Sequence, residues 1–164
     1  MSNFNQTSYS LQHAKAVAGM VADSEVNNTI SKVNKGAVTI PFGRFVARSG
    51  DDGMIPLAAA STATDVLGIT RYELNRAYAA GEVLGDPIDR DGAVLTMGTI
   101  YVESIGTVAA GSPVFAVVAQ GADTGKAAGA AGAGATLAVA VAGATFAEAA
   151  VAGQLAKVSL KVGG

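Results

Sequence analysis

The stretch Lys157-Val158-Ser159-Leu160-Lys161-Val162 decides the fold class. Polar and apolar side chains alternate over six residues, a period of two that puts Val158, Leu160 and Val162 on one face of a strand and leaves Lys157, Ser159 and Lys161 wet. Working back from it, Ala93 to Met97 and Thr99 to Ile105 read as two further strands, with Asp91-Gly92 as the turn before the first and Gly98 as a bend or bulge between them. Val66 to Tyr72 and Arg44 to Arg48 read the same way, and Val38 to Ile40 runs into Pro41. Pro113 to Val118 is a nearly continuous apolar strand whose proline sits at the first position, where no ladder donor is lost. Short strands broken by turn residues at such intervals predict a mainly β protein, a compact antiparallel β-barrel or a jelly-roll-like sandwich. Thr145-Phe-Ala-Glu148 has the spacing of a capping box and Gly153 supplies a stop, so one short helix over Phe146 to Ala152 is expected before the last strand.

Composition agrees with strands. Val, Ile and Thr outnumber Leu and Met in a chain of 164 residues, and β-branched side chains pack well on a pleated surface. Length predicts about one domain. Alanine and glycine make up a third of the chain, so the 50% hydrophobic content overstates the core. The excess gathers in Ala127 to Ala152 and in turns before strands.

The chain divides into an N-terminal arm, residues 1–35, and a β body, residues 36–164, with a Gly/Ala-rich loop at about 120–136. The arm is rich in Asn, Ser, Thr and Gln, and its apolar residues follow neither period; Leu11 to Ala22 is open to either a short helix or extended chain. Such a segment makes few contacts of its own and is expected to order on a neighbouring subunit or partner. Gln120 to Thr136 has no large apolar side chain to offset about 1–2 kcal/mol of ordering entropy per residue, which predicts a long surface loop.

Several function classes fall away. Thirteen acids against eleven bases give a net charge of −2, with the basic residues scattered, so no footprint for nucleic acid is present. The absence of cysteine excludes disulfides, thiolate metal sites and a cysteine nucleophile, and suits a reducing cytoplasm or a protein stabilised by assembly. Residues 1–12 lack the basic start and apolar stretch of a secretory signal. Ala127 to Ala147 is uncharged for 21 residues, long enough to span a bilayer. Its four strongly apolar residues, at about 0.3 to 0.6 kcal/mol each, supply about 2 kcal/mol, too little to hold a glycine-rich helix in lipid. No membrane partner is expected.

Chemistry is equally sparse. His13, the single histidine, has no acid or second histidine within four residues to orient it or share a metal. Gly121 to Ala127 has three rather than four residues between its glycines and Ala127 where a P-loop needs Ser or Thr. The acids Glu82, Asp86, Asp89, Asp91 and Glu103 lack the ladder of a calcium loop and read as a solvated turn. No catalytic residue, cofactor or metal site is predicted. From Ser104 to Ala147 the only charges are Asp123 and Lys126, which fits either an interface or a buried strand followed by a loop.

The order of several short segments is informative where each alone is not. Met1-Ser-Asn-Phe4, Ser8-Tyr9-Ser10 and His13-Ala-Lys-Ala-Val-Ala-Gly19-Met-Val-Ala-Asp23 are followed by Ile40-Pro-Phe-Gly43-Arg-Phe-Val46, Val66-Leu-Gly68, Glu73-Leu-Asn-Arg76-Ala-Tyr78, Val108-Ala-Ala-Gly111-Ser-Pro-Val114 and the ending Ala149 to Leu160. Together they resemble the capsid decoration proteins of tailed bacteriophages, also called structural cement proteins, over nearly the whole chain. The resemblance implies a non-enzymatic protein of the virion. It would be made in the host bacterial cytoplasm, bind the outside of the expanded head and bridge neighbouring major capsid proteins as a homo-oligomer, a dimer or a trimer. It also admits a tulip-like β fold. Many modest contacts repeated by symmetry meet that requirement without a reactive site. The interface residues expected on this reading are Phe4, Tyr9, Val17 and Met20 of the arm, then Tyr72, Arg76 and Tyr78. A tail, fibre or surface-adhesion module is the alternative with the same composition.

Overall fold

The alternation over Lys157 to Lys161 has its expected structural consequence: Ala156, Val158 and Leu160 are buried while the residues between them reach solvent. The computed structural model describes residues 16–23, 26–74, 77–118, 121–132, 134 and 137–161. Its strands are β1 (Asn28–Asn34), β2 (Ile40–Pro41), β3 (Phe45–Ser49), β4 (Gly53–Pro56), β5 (Val66–Thr70), β6 (Gly85–Asp86), β7 (Asp91–Glu103), β8 (Pro113–Val117), β9 (Ala127–Ala128), β10 (Ala138–Phe146) and β11 (Leu155–Lys161). β2 and β6 pair with each other, and the other nine form one sheet in the order β1-β4-β3-β5-β7-β11-β10-β8-β9.

β7 is the spine. The two strands read on either side of Gly98 are one 13-residue strand, bent at Gly98, where φ is +125° and an added Cβ would lie 2.8 Å from the Asn27 Cβ. The first half of β7 pairs with β5 on one edge (Ile69 opposite Leu95) and β1 on the other (Ile30 opposite Val94). Since β1 also pairs with β4, β4 with β3 and β3 with β5, these five strands close into a barrel. The β1–β4 pair is parallel, a departure from the antiparallel expectation that comes from inserting β1 between β4 and β7. The second half of β7 pairs with β11 from Met97 to Glu103, and the sheet continues through β10 and β8 to β9. β9 returns to the end of β7 through a parallel bridge, Ser104 to Ala127.

Period two sorts the apolar residues. Val46, Met54, Leu67 and Val94, with Ile40 and Ile30, fill the barrel. Phe45, Ala47 and Leu95, next to them in the strands, face outward, as does Ile69, which a bulge at Leu67 in β5 sends to the other side; these join Ile100, Val102, Val114, Val141, Phe146, Val158 and Leu160 in a larger core under the second half of the sheet. Burial of this kind stabilises by about 25 cal/mol per Å² of apolar surface, so two shared layers serve a chain poor in large side chains.

Four local expectations are corrected. Phe146 to Ala152 is not a helix: the Phe146 N–H donates to the Ser112 carbonyl, its carbonyl accepts from Gly111 N–H, and Ala147 N–H donates to Lys157, so the backbone groups of a first helical turn are committed to the sheet. A 3-10 turn is found instead at Ala63–Asp65, where the Asp65 carboxylate accepts from the Thr62 N–H and hydroxyl. Those bonds hold the Asp65 carboxyl below its usual range. The segment 120–136 is not simply a surface loop, because its described part places Ala127 and Ala128 in β9, buried against β8. Small side chains there let the chain lie flush against its neighbour. Asp86, read as part of a solvated turn, is 2% exposed. Finally, the described residues of the N-terminal block lie on the body itself, β1 in the barrel and residues 19–22 along β7, rather than awaiting a neighbour.

Candidate functional site

Residues 16–22 form the root of the arm, and backbone contacts fix them in place. Val21 bridges Ile100 of β7, Tyr101 N–H donates to the Met20 carbonyl at 3.0 Å, and Ala22 N–H donates to Thr99 at 2.8 Å. Gly19 is the pivot. Its N–H donates to the Tyr101 carbonyl (2.8 Å) and its carbonyl accepts from Tyr72 N–H (2.7 Å), with φ at +81°. A Cβ on Gly19 would lie 2.8 Å from the backbone nitrogens of Gly43 and Tyr72 and 2.9 Å from the Thr70 carbonyl oxygen. A Cβ on Gly43 would lie 2.6 Å from the Gly19 nitrogen. Two backbones therefore meet with no side chain between them, an approach open to glycine alone.

Beside this latch is a groove of about 250 Å³ lined by Val17, Phe42, Tyr72, Val83, Leu84 and Glu103, among others. The Phe42 ring makes T-shaped contacts with Tyr72 (centroids 5.4 Å, 74°) and Tyr78 (6.4 Å, 81°), the geometry favoured by ring quadrupoles. The Tyr78 hydroxyl donates to the Gly85 carbonyl at 3.2 Å, and Phe42 N–H donates to Leu84. Val17 is 42% exposed, Val83 50% and Leu84 48%; Met20 next to the latch and Leu74 close to Tyr72 are exposed as well. Large apolar side chains gathered at a groove mark an interaction surface, whereas singly scattered ones do not.

The groove's charged groups are already engaged. Arg44 lines it, donates from Nη1 to the Thr124 carbonyl at 3.3 Å and is held below its ordinary pKa by burial, against the opposing pull of Glu103 and Asp123. The Lys126 ammonium, with its side chain 13% exposed, bonds Glu103 at 2.5 Å and Asp123 at 2.8 Å. Burial works against the Lys126 charge, but the bonds to Asp123 and Glu103 outweigh it and raise its pKa. The hydrogen bond from Lys126 in turn lowers that of Asp123. This network ties the Gly/Ala-rich segment to the end of β7. It leaves the groove suited to an apolar chain segment rather than to proton transfer. Among the described residues no group of three or more His, Cys, Asp or Glu side chains is placed to hold a metal.

Of the residues singled out in the sequence, the structure brings Val17, Tyr72 and Tyr78 together around Phe42, with Met20 beside them on the latch. Phe4, Tyr9 and Arg76 lie outside the described residues. Sequence reasoning missed Phe42, Leu74, Val83 and Leu84 as site residues. The signal available was the isolated pair Val83-Leu84 between Glu82 and Gly85, apolar residues belonging to no strand period.

The family model for structural cement proteins (E217 gp24/Pam3 gp6) matches residues 4–161. The chain belongs to that family. It is a structural protein of the phage particle, associated with its capsid. A chain from the solved structure "The capsid of Myoviridae Phage XM1" is similar at 25% identity and a TM-score of 0.70, over 97% of this chain and 98% of that one. A chain from the head fiber gp8.5 N base of bacteriophage phi29 matches at 17% identity and a TM-score of 0.40, over 81% and 94%. No curated protein matches the chain.

Proposed function

We propose that this cement protein binds the outer surface of the phage head and bridges neighbouring major capsid proteins, with the groove around Phe42 as a docking surface. Val17, Met20, Tyr72 and Tyr78 contribute to that surface, together with Val83 and Leu84. The observation carrying this reading is exposed aliphatic side chains around an aromatic cluster in a protein of the cement family. Aromatic anchors in a groove are the usual energetic centre of an interface. Arg76 is proposed as a further interface residue, and the protein is proposed to act as a dimer or trimer, so that each unit presents several grooves.

The test is sedimentation of expanded capsids lacking the protein after incubation with the full chain. Saturable binding at a fixed ratio to the capsid protein is expected. Leu84→Asp, at a position 48% exposed, leaves the fold intact and is expected to weaken binding about tenfold or more, since desolvating a charge opposes burial. Absence of co-sedimentation overturns the capsid reading; full binding by Leu84→Asp overturns the groove's part in it.

A further inference from the structure

Arg44 stands in the wall between two cavities. One is the groove around Phe42; the other, of about 200 Å³, is lined by Val38, Thr39, Ile40 and Pro56, among others, and Pro41 and Arg44 line both. The β2–β6 pair sets Pro41 opposite Gly85, so exposed Val38 lies beyond one end of the pair and exposed Val83 and Leu84 beyond the other. An extended segment that crosses the wall therefore meets aliphatic side chains on both sides of Arg44. The Arg44 backbone is fixed in place. Its N–H donates to the Thr70 hydroxyl at 3.0 Å, its carbonyl accepts from Thr70 N–H at 2.9 Å, and Phe45 N–H donates to the Gly125 carbonyl at 2.8 Å. Its head group is bonded far less completely. A guanidinium has five N–H donors, and among the described residues that of Arg44 spends one, on the 3.3 Å bond to Thr124. Glu103 and Asp123, the acids whose charge it feels, are themselves bonded to Lys126 at 2.5 and 2.8 Å. A half-buried guanidinium with donors to spare is matched by a carboxylate, which accepts two parallel N–H bonds. A phosphate dianion suits the position less, because Glu103 and Asp123 already place negative charge near it.

We infer that Arg44 is a carboxylate-binding site, which takes an Asp or Glu side chain from an extended segment of the major capsid protein while the apolar neighbours of that acid enter the two cavities. The inference rests on the docking reading above and adds the chemistry of the partner segment. The test uses fluorescently labelled, overlapping peptides that cover the major capsid protein and, in parallel, this chain, each titrated with the full chain by anisotropy. The capsid peptides that bind are expected to carry an Asp or Glu between apolar residues. Asp→Asn or Glu→Gln in such a peptide should weaken binding about tenfold or more, and Arg44→Gln in the protein should do the same. Arg44→Lys keeps the charge without the fork and should recover only part of that loss. Since both changes remove one contact, Arg44→Gln should weaken binding of the amide peptide by no more than about twofold further, whereas an indirect effect of Arg44 on the shape of the groove would add in full. Binding that survives loss of the acid, or fully additive losses, overturns the inference, as does binding confined to peptides of this chain, which would make the occupant a second copy. If the protein sediments with capsids but no capsid peptide binds, the inference falls and the docking reading stands; if it does not sediment with capsids, the docking reading falls as well.

Discussion

Gly19→Ala isolates what the latch contributes. The new methyl would fall 2.8 Å from two backbone nitrogens and 2.9 Å from a carbonyl oxygen, none of them at the end of a flexible side chain. The φ of +81° adds a penalty of about 1–2 kcal/mol for an L residue. The least costly relief is for residues 16–22 to lift off β7, losing the bonds Gly19 to Tyr101, Tyr72 to Gly19, Tyr101 to Met20 and Ala22 to Thr99. At about 0.5–1.5 kcal/mol net per bond, losing them all costs about 2–6 kcal/mol, so an effect of about 3 kcal/mol is expected when relaxation is only partial. Native-state hydrogen exchange is the suitable assay, because the opening is local. The Tyr72 and Tyr101 amides, which donate to the lifted segment, are expected to exchange about a hundredfold faster, while amides in the β7–β11 ladder change little. The melting temperature should fall by about 5–10 °C for a domain of this size. Unchanged exchange at Tyr72 and Tyr101 would refute the latch, whatever the melting temperature did.

Two other perturbations probe the body. Gly92→Ala would place a methyl 2.3 Å from the buried Asp86 carboxyl carbon, and a destabilisation of about 2–4 kcal/mol is expected in urea denaturation. In the double variant with Asp86→Ala, which removes that clash, the two losses should fall well short of additive; strict additivity would show that the clash is not the cause. Lys126→Met removes the centre of the charge network and should cost about 1–3 kcal/mol at neutral pH, measured the same way. Its pH dependence has a definite sign. Asp123 has a lowered pKa in the folded protein, so its contribution is present above the ordinary carboxylate range and is lost as pH falls through the lowered value. Lys126 has a raised one, so its contribution is present below the ordinary lysine value and is lost as pH rises through the raised value. The stability difference between the wild type and Lys126→Met should therefore be flat around neutrality and shrink at both extremes; a slope between about pH 6 and 9 would contradict the assignment.

Strand existence was legible because period-two alternation is local: Lys157 to Lys161, Arg44 to Arg48 and the two halves of β7 can be read without knowing their neighbours. The capping-box spacing at Thr145 to Glu148 failed because it registers only the local option, and a ladder with β11 and Ser112 took the same backbone groups. Asp86 was misread for a related reason, since burial depends on what crosses over it, here Gly92 and the barrel end. Part of the site was visible as aromatic and apolar residues outside any period, Val17, Met20 and Tyr78, whereas Tyr72 stood at the end of the stretch Val66 to Tyr72, which reads as a strand. Phe42 and Leu84 were not, because only β2–β6 pairing brings Pro41 and Gly85 together.

By itself the sequence determined a β body, an uncharged stretch from Ala127 to Ala147 and the order of segments that resembles the cement family. These depend on side-chain pattern and composition, which are properties of neighbours along the chain. Tertiary structure alone decided that β1 closes a five-stranded barrel, that Gly19 meets Gly43 back to back, and that Lys126 ties the Gly/Ala-rich segment to Glu103. Each of these joins residues 20 or more positions apart, and such contacts form only when the whole sheet sets their separation. The alternation at Lys157 to Lys161 could say that a strand has a buried face; the strand beside it, β7, decided what that face is buried against.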